Sequence, residues 1–310
     1  MTTVKLSEPR RRILAAVGAL ALILAAYVLW ARPLQLRWGA TEAEVGSQMP
    51  GDELNPTPSF LATRAIEIEG APADIWPWLM QMGYDRAGLY GFDLFEKVGS
   101  PRTPLGVDRI LPQFQDLKVG DPIPVTPLLT MTFHAIAPQE YMVWSTGDGR
   151  SSITWALRAS GTTTTRLVSR TRWDYHWTQP GRLALDVLNE FTDHLAMRKI
   201  LQGVKGRVEG NIQPKSDINI EFALYLGSAL VFVWALLSIL RLPLTWISWL
   251  IGLAGGSAWL VTWYAPRSLW VGAAFAMLGV WAIRVEERDL KRARMRQEQD
   301  RHARASKPGV

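Results

Sequence analysis

The chain contains no cysteine. That excludes a disulfide framework, a thiolate metal centre and a cysteine nucleophile together. Histidine is scarce, at four in 310 residues, and none stands in an HExxH or comparable metal-ligand spacing. There is no G-x-S-x-G elbow, no phosphate-cradling P-loop and no dinucleotide glycine pattern. The sequence therefore calls for no metal and no cofactor. A basic face is missing as well. The formal charge is +6, but its excess sits in the tails: Lys5 and Arg10–Arg12 at one end, nine basic against five acidic residues over 284–310 at the other. Residues 32–218 hold 19 basic and 21 acidic side chains. A nucleic-acid partner would need its basic footprint on a folded domain, so none is expected.

What is present begins with long apolar runs. Residues 1–12 form a basic N-terminus, and 13–31 run without a charge for long enough to span a bilayer. Tyr27 and Trp30 close that run, and Arg32-Pro33 follow in place of a small-residue cleavage site, which favours a retained helix over a signal peptide. Further apolar stretches at 221–240, 243–265 and 268–284 read as three more spans, the last one short, before a basic tail over 285–310. Fifteen tryptophans suit interfacial aromatics. Basic tails on the inside would make this an integral protein of the plasma membrane with its central domain extracytoplasmic and the lipid bilayer as a partner.

Residues 32–58 are polar and turn-rich, and read as a linker or edge arm. The central unit, 59–212, opens with a strand in which Ala62, Arg64, Ile66 and Ile68 alternate with their neighbours. Pro72 can start a short helix carrying Ile75, Trp76, Leu79 and Met82 inward. Tyr90–Val98 looks like a second short helix. Proline-rich loops follow, with short strands around Arg109–Leu111 and Asp121–Val125. Four strands come next, at Met131–Ala137, Tyr141–Ser145, Ser152–Ala159 and Thr165–Trp177. In the last, Leu167, Ser169, Thr171, Trp173, Tyr175 and Trp177 share one face. Arg166, Arg170, Arg172, Asp174 and His176 share the other, which implies one buried and one wet face.

Gly181–Glu209 then reads as one long amphipathic helix. Leu183, Val187, Leu188, Phe191 and Leu195 recur at helical spacing, while Asp193 falls on the polar side. Phe191 is expected to pack on the sheet and His194 to lie at the helix border.

The order of strand, two short helices, antiparallel strands and long helix resembles the SRPBCC superfamily of START-like and polyketide cyclase/lipid-transport proteins. The residues that carry the likeness are Ala62-Thr63-Arg64-Ala65-Ile66-Glu67-Ile68 and Ala71-Pro72-Ala73-Asp74-Ile75-Trp76-Pro77-Trp78-Leu79. The resemblance implies an α+β helix-grip fold, an antiparallel sheet around a long C-terminal helix with an apolar cavity between. It implies no single reaction. A small hydrophobic, lipid-like ligand is the expected partner, and Trp155, Trp173, Tyr175, Trp177, Phe191 and Trp76 are the expected ligand-binding residues. Aromatic rings with a polar handle suit a site that both buries and orients a ligand. Asp93 and Glu96, with Arg109 near, could supply acid–base chemistry, which leaves a cyclase or dehydratase as an alternative. A structural envelope module with a filled core is the third.

Overall fold

The structure, a computed structural model, describes residues 27–92, 106–174, 182–241 and 269–305, with Leu14, Val17, Gly18, Ala21 and Ala25 as isolated positions before them. The chain divides into two compact units, Ala26–Asn219 and the combination of Met1–Ala25 with Ile220–Val310.

The first unit opens with a π-helical turn, Tyr27–Ala31, that runs into helix α1 (Arg32–Leu36). Helix α2 (Glu42–Gly46) starts at a capping box: Glu44 N–H donates to Thr41 Oγ1 at 3.2 Å and Thr41 N–H donates to the Glu44 carboxylate at 2.7 Å. Strand β1 (Phe60–Glu69) leads to helix α3 (Pro72–Met80), where Pro72 occupies the first turn and Asp74 accepts from Ala71 N–H at 3.0 Å. A single 3-10 turn at Pro112–Phe114 precedes strands β2 (Pro122–Thr126), β3 (Leu129–Ala137), β4 (Tyr141–Ser145), β5 (Ser152–Ala159) and β6 (Thr164–Trp173). Helix α4 (Arg182–Val208) closes the unit's core. The six strands form one antiparallel sheet in the order β1-β6-β5-β4-β3-β2, so the first strand pairs with the last.

Three expected elements differ. The last strand, expected to run to Trp177, ends at Trp173 with Asp174 outside it; 175–177 lie outside the described residues. Arg109–Leu111 is not a strand. Tyr90 lies in the left-handed region at φ 61° and Gly91 and Phe92 are not helical, so no helix starts there; 93–98 lie outside the described residues.

Directly opposed residues of an antiparallel pair place their side chains on one face. One row across the sheet is therefore Ala62, Thr171, Ile153 and Trp144, and the next is Arg64, Ser169, Trp155 and Met142. This is the inner face. Met197, Ile200, Leu201 and Val204 of α4 pack against it in one core with Ile68, Leu79, Phe133, Trp144 and Trp155. Each such aliphatic side chain contributes about 1.5–3 kcal/mol on full burial.

The outer face is not wet. Arg170 and Arg172 alternate outward as expected, yet they are 2% and 8% exposed because residues 39–58 fold over them. Asp52 bridges both, accepting from Arg170 Nη1 at 2.7 Å and Arg172 Nε at 2.8 Å. Glu44 takes Arg166 through two bonds of 3.0 and 2.8 Å. Met49 fills a small second core with Ala65, Ala156 and Val168. The stretch expected to be a linker or edge arm belongs to the same compact unit as the sheet.

The second unit holds helix α6 (Leu269–Ala305) and most of helix α5 (Lys215–Arg241). Among the described residues no helix is long and apolar enough to cross a membrane. This overturns the integral plasma-membrane placement with an extracytoplasmic domain. Helix α5, which contains 221–240, carries Asp217 and Glu221 in its first turns, and α6 runs without a break from 269–283 into charged chain. The segment 243–265 and most of 13–31 lie outside the described residues.

Candidate functional site

The inner face of the sheet is apolar at its β2–β4 end and mixed where β1, β6 and β5 meet. Three hydroxyl or guanidinium side chains, Arg64, Ser169 and Thr171, stand there among Trp155, Trp144 and Ile153. All are 4% exposed or less. Trp144 and Trp155 meet edge-on, with ring centroids 5.5 Å apart and planes at 61°. Among the described residues neither indole N–H finds an acceptor, and Ser169 Oγ, Thr171 Oγ1 and Arg64 Nη2 have no hydrogen-bond partner either. Buried polar atoms are paired in the great majority of cases. Five unpaired on one patch of one face set it apart.

One edge of this patch is held by an ionic network. Arg64 donates through Nη1 to Asp193 at 2.7 Å and through Nε to the Gln35 carbonyl at 2.8 Å. The same carbonyl lies 3.2 Å from His194 Nδ1, which makes that nitrogen the protonated one. Arg32 grips Glu190 through bonds of 2.7 and 2.8 Å, and Tyr27 donates to Glu190 at 2.9 Å. The N-terminal turn and α1 are thus pinned to α4. Both carboxylates are taken up by arginines, so this network positions elements rather than offering a base. Asp193 and His194 depart from expectation: Asp193 neutralises a buried arginine instead of facing solvent, and His194 is fully buried instead of lying at a border. The cause is α1, which covers a helix face that the periodicity marks as polar.

The expected ligand-binding residues fall in different places. Trp155 sits at the centre of the patch. Trp173 and Trp76 are partly buried against the main core. Phe191 is 7% exposed and stacks on Tyr27, with centroids 5.6 Å apart and planes at 18°. Tyr175 and Trp177 lie outside the described residues, as do Asp93 and Glu96. Arg109 is exposed. Trp144, Ser169, Thr171 and Arg64 were not singled out from the sequence. Hydroxyls recurring in an otherwise apolar strand phase were the available signal. Among the described residues no group of three or more His, Asp or Glu could hold a metal.

A six-stranded antiparallel sheet with its first and last strands paired and a 27-residue helix across it fits a helix-grip arrangement. No family model and no curated protein matches the chain. Solved structures that overlap it include the Polyketide_cyc-like protein Cgl2372 from Corynebacterium glutamicum, at 13% identity and TM-score 0.29, covering 48% of this chain and 91% of that one. The Aha1 dimer from Colwellia psychrerythraea overlaps at 15% identity and TM-score 0.28, over 49% of this chain and 98% of that one. The self-sacrificing resistance protein CalC from Micromonospora echinospora overlaps at 15% identity and TM-score 0.31, over 49% and 96%. At these scores the likeness adds no weight; the arrangement stands on its own strand order and helix.

Proposed function

We propose that the Ala26–Asn219 unit binds a small organic ligand between the inner face of its sheet and α4, and that the ligand is apolar with at least one hydrogen-bond acceptor. The observation that carries this reading is the pair of buried indole donors, Trp144 Nε1 and Trp155 Nε1, beside the hydroxyls of Ser169 and Thr171. An unmade buried hydrogen bond costs about 1–3 kcal/mol, and an acceptor brought by a ligand would recover it. Met131, Phe133, Met142 and Leu167 around the patch suit the apolar body. The resemblance to START-like and polyketide cyclase proteins agrees with this reading and names no ligand. The engagement of Glu190 and Asp193 by arginines supports carriage over catalysis at this patch.

The test is calorimetric titration of the purified full chain with 2-acetylnaphthalene and with 2-ethylnaphthalene, which matches its shape but lacks the acceptor. The ketone should bind roughly tenfold more tightly, the value of about one buried hydrogen bond. Trp155→Phe should remove that advantage and leave the hydrocarbon's affinity in place. Binding of neither probe, or equal binding of both by the parent chain, would end the proposal.

A further inference from the structure

Another buried cation, Arg86, lies in the turn after α3. Arg86 is 7% exposed. Its Nη2 donates to the Met80 carbonyl at 2.6 Å, at the end of α3, and its guanidinium carbon lies 4.8 Å from the centroid of the Phe114 ring. That carbonyl occupies one nitrogen and the ring covers one flat face. Among the described residues the in-plane donors at Nε and Nη1 have no partner.

Three buried arginines elsewhere in the unit are held differently. Arg64, Arg170 and Arg172 are buried to the same degree, and each holds a carboxylate. Arg170 makes five hydrogen bonds. Nearby Gln81 is fully buried and satisfied at both ends, by Tyr90 Oη, the Arg109 carbonyl, Leu111 N–H and Gln115. Among the described residues no carboxylate reaches ion-pairing distance of Arg86. Burial pushes its pKa down to about 10, and Tyr90 and Asp121 offset this only in part. The turn that carries it also buries the Tyr84 phenol, whose Oη has no partner among the described residues.

The turn is built to hold this side chain. Gly83 and Gly88 exchange backbone hydrogen bonds of 3.2 and 3.1 Å, closing a ring around residues 84–87. Asp85 is held at φ 57° inside it, and Gly83 at φ 144°. A Cβ on Gly83 would come within 2.9 Å of Arg86 Cδ and 3.2 Å of the Pro124 carbonyl, so glycine leaves room for the arginine stem. A non-glycine residue in the left-handed region costs of order 1 kcal/mol or more and persists only where its surroundings over-determine it. A cation fixed in advance, desolvated and with free in-plane donors, is suited to an oxyanion.

We propose that Arg86 is the cationic centre of a small-oxyanion site, taking a carboxylate or phosphate group in the plane of its guanidinium. This site is independent of the ligand patch between the sheet and α4. The full chain is titrated with sodium phosphate and, separately, with sodium acetate, each at constant ionic strength against sodium chloride. Two readouts are followed: the Arg86 Nε–H resonance of ¹⁵N-labelled protein, assigned by its disappearance in Arg86→Lys, and the thermal midpoint. A saturable shift of the resonance in the parent chain, together with a rise of the thermal midpoint that Arg86→Lys keeps in part and Arg86→Gln lacks, supports the site. Response to phosphate alone assigns a phosphate group, and response to acetate alone a carboxylate. The resonance is read in the parent chain, so a poorly folding Arg86→Gln does not block the test. No movement of that resonance beyond the chloride control, with either anion, overturns the proposal.

Discussion

Arg64 of β1 and Asp193 of α4 form an ion pair of 2.7 Å across the sheet–helix junction, 129 residues apart in sequence. The arginine is 1% exposed and the carboxylate 13%. Removing one partner of a buried pair leaves the other charge without compensation, which costs about 3–5 kcal/mol. Asp193→Ala should therefore lower stability by about 3 kcal/mol in urea unfolding, with Glu53→Ala at an exposed position within about 0.5 kcal/mol. Equal effects at the two positions would mean that the pair contributes nothing.

Gly203 permits the closest approach of α4 to the chain at Tyr90. An added Cβ would overlap the Tyr90 carbonyl oxygen and come within 2.7 Å of Tyr90 Cβ. Backbone cannot swing aside as a side chain can, so Gly203→Ala should destabilise by about 1–3 kcal/mol. Gly147→Ala, where a Cβ meets nothing within 4 Å, is the control and should shift the urea midpoint very little. A Gly203→Ala chain as stable as the parent would show that the turn at 90 can move.

Glu44 links stability to acid. Burial alone would raise its pKa, but the Arg166 hydrogen bonds and the Thr41 N–H outweigh it and hold the carboxyl below its ordinary 4.5. A group whose folded pKa is depressed contributes stability that is full above its unfolded value and is lost as pH falls through the folded one. The parent chain should lose stability below about pH 4.5 more steeply than Glu44→Gln. Parallel curves between pH 6 and pH 3 would refute the assignment.

Asp52 anchors the strap over the outer face by holding Arg170 and Arg172 together. Asp52→Asn should leave the sheet assembled but loosen the strap, so that a protease cuts within 39–58 at least several-fold faster than in the parent chain. Unchanged cleavage would show that Glu44, Met49 and the backbone carbonyls hold the strap without Asp52.

Period-2 alternation was enough to place β1, β4, β5 and β6, because side-chain direction in a strand is local. It put Arg64 in phase with Ala62, Ile66 and Ile68, and Trp155, Ser169 and Thr171 in the inward phases of their strands. It could not show that Arg64 meets Asp193 or that Asp52 meets two arginines, since each partner is supplied by chain more than a hundred residues away. The outward arginines therefore read as solvent-facing. Helical spacing located α4 and missed its covering by α1 for the same reason. At Tyr90 an apolar stripe suggested a helix, but tertiary demands won. The Tyr90 hydroxyl bridges Gln81 and the Trp78 carbonyl, and its backbone must clear Gly203. Arg86 gave no pattern at all, because a buried lone cation is defined by what surrounds it.

The strap over the outer face also orders events during synthesis. Asp52 leaves the ribosome 118 residues ahead of Arg170. At about 5–20 residues per second, it waits roughly ten seconds for its partner. Over the same interval β1 has no neighbour, because its pairing strand β6 is the last to be made. The first third of the domain therefore emerges as unpaired chain, and sheet closure and strapping become possible together once Thr164–Trp173 is free. Folding is committed late, and through contacts of long sequence separation, which are the slowest to form.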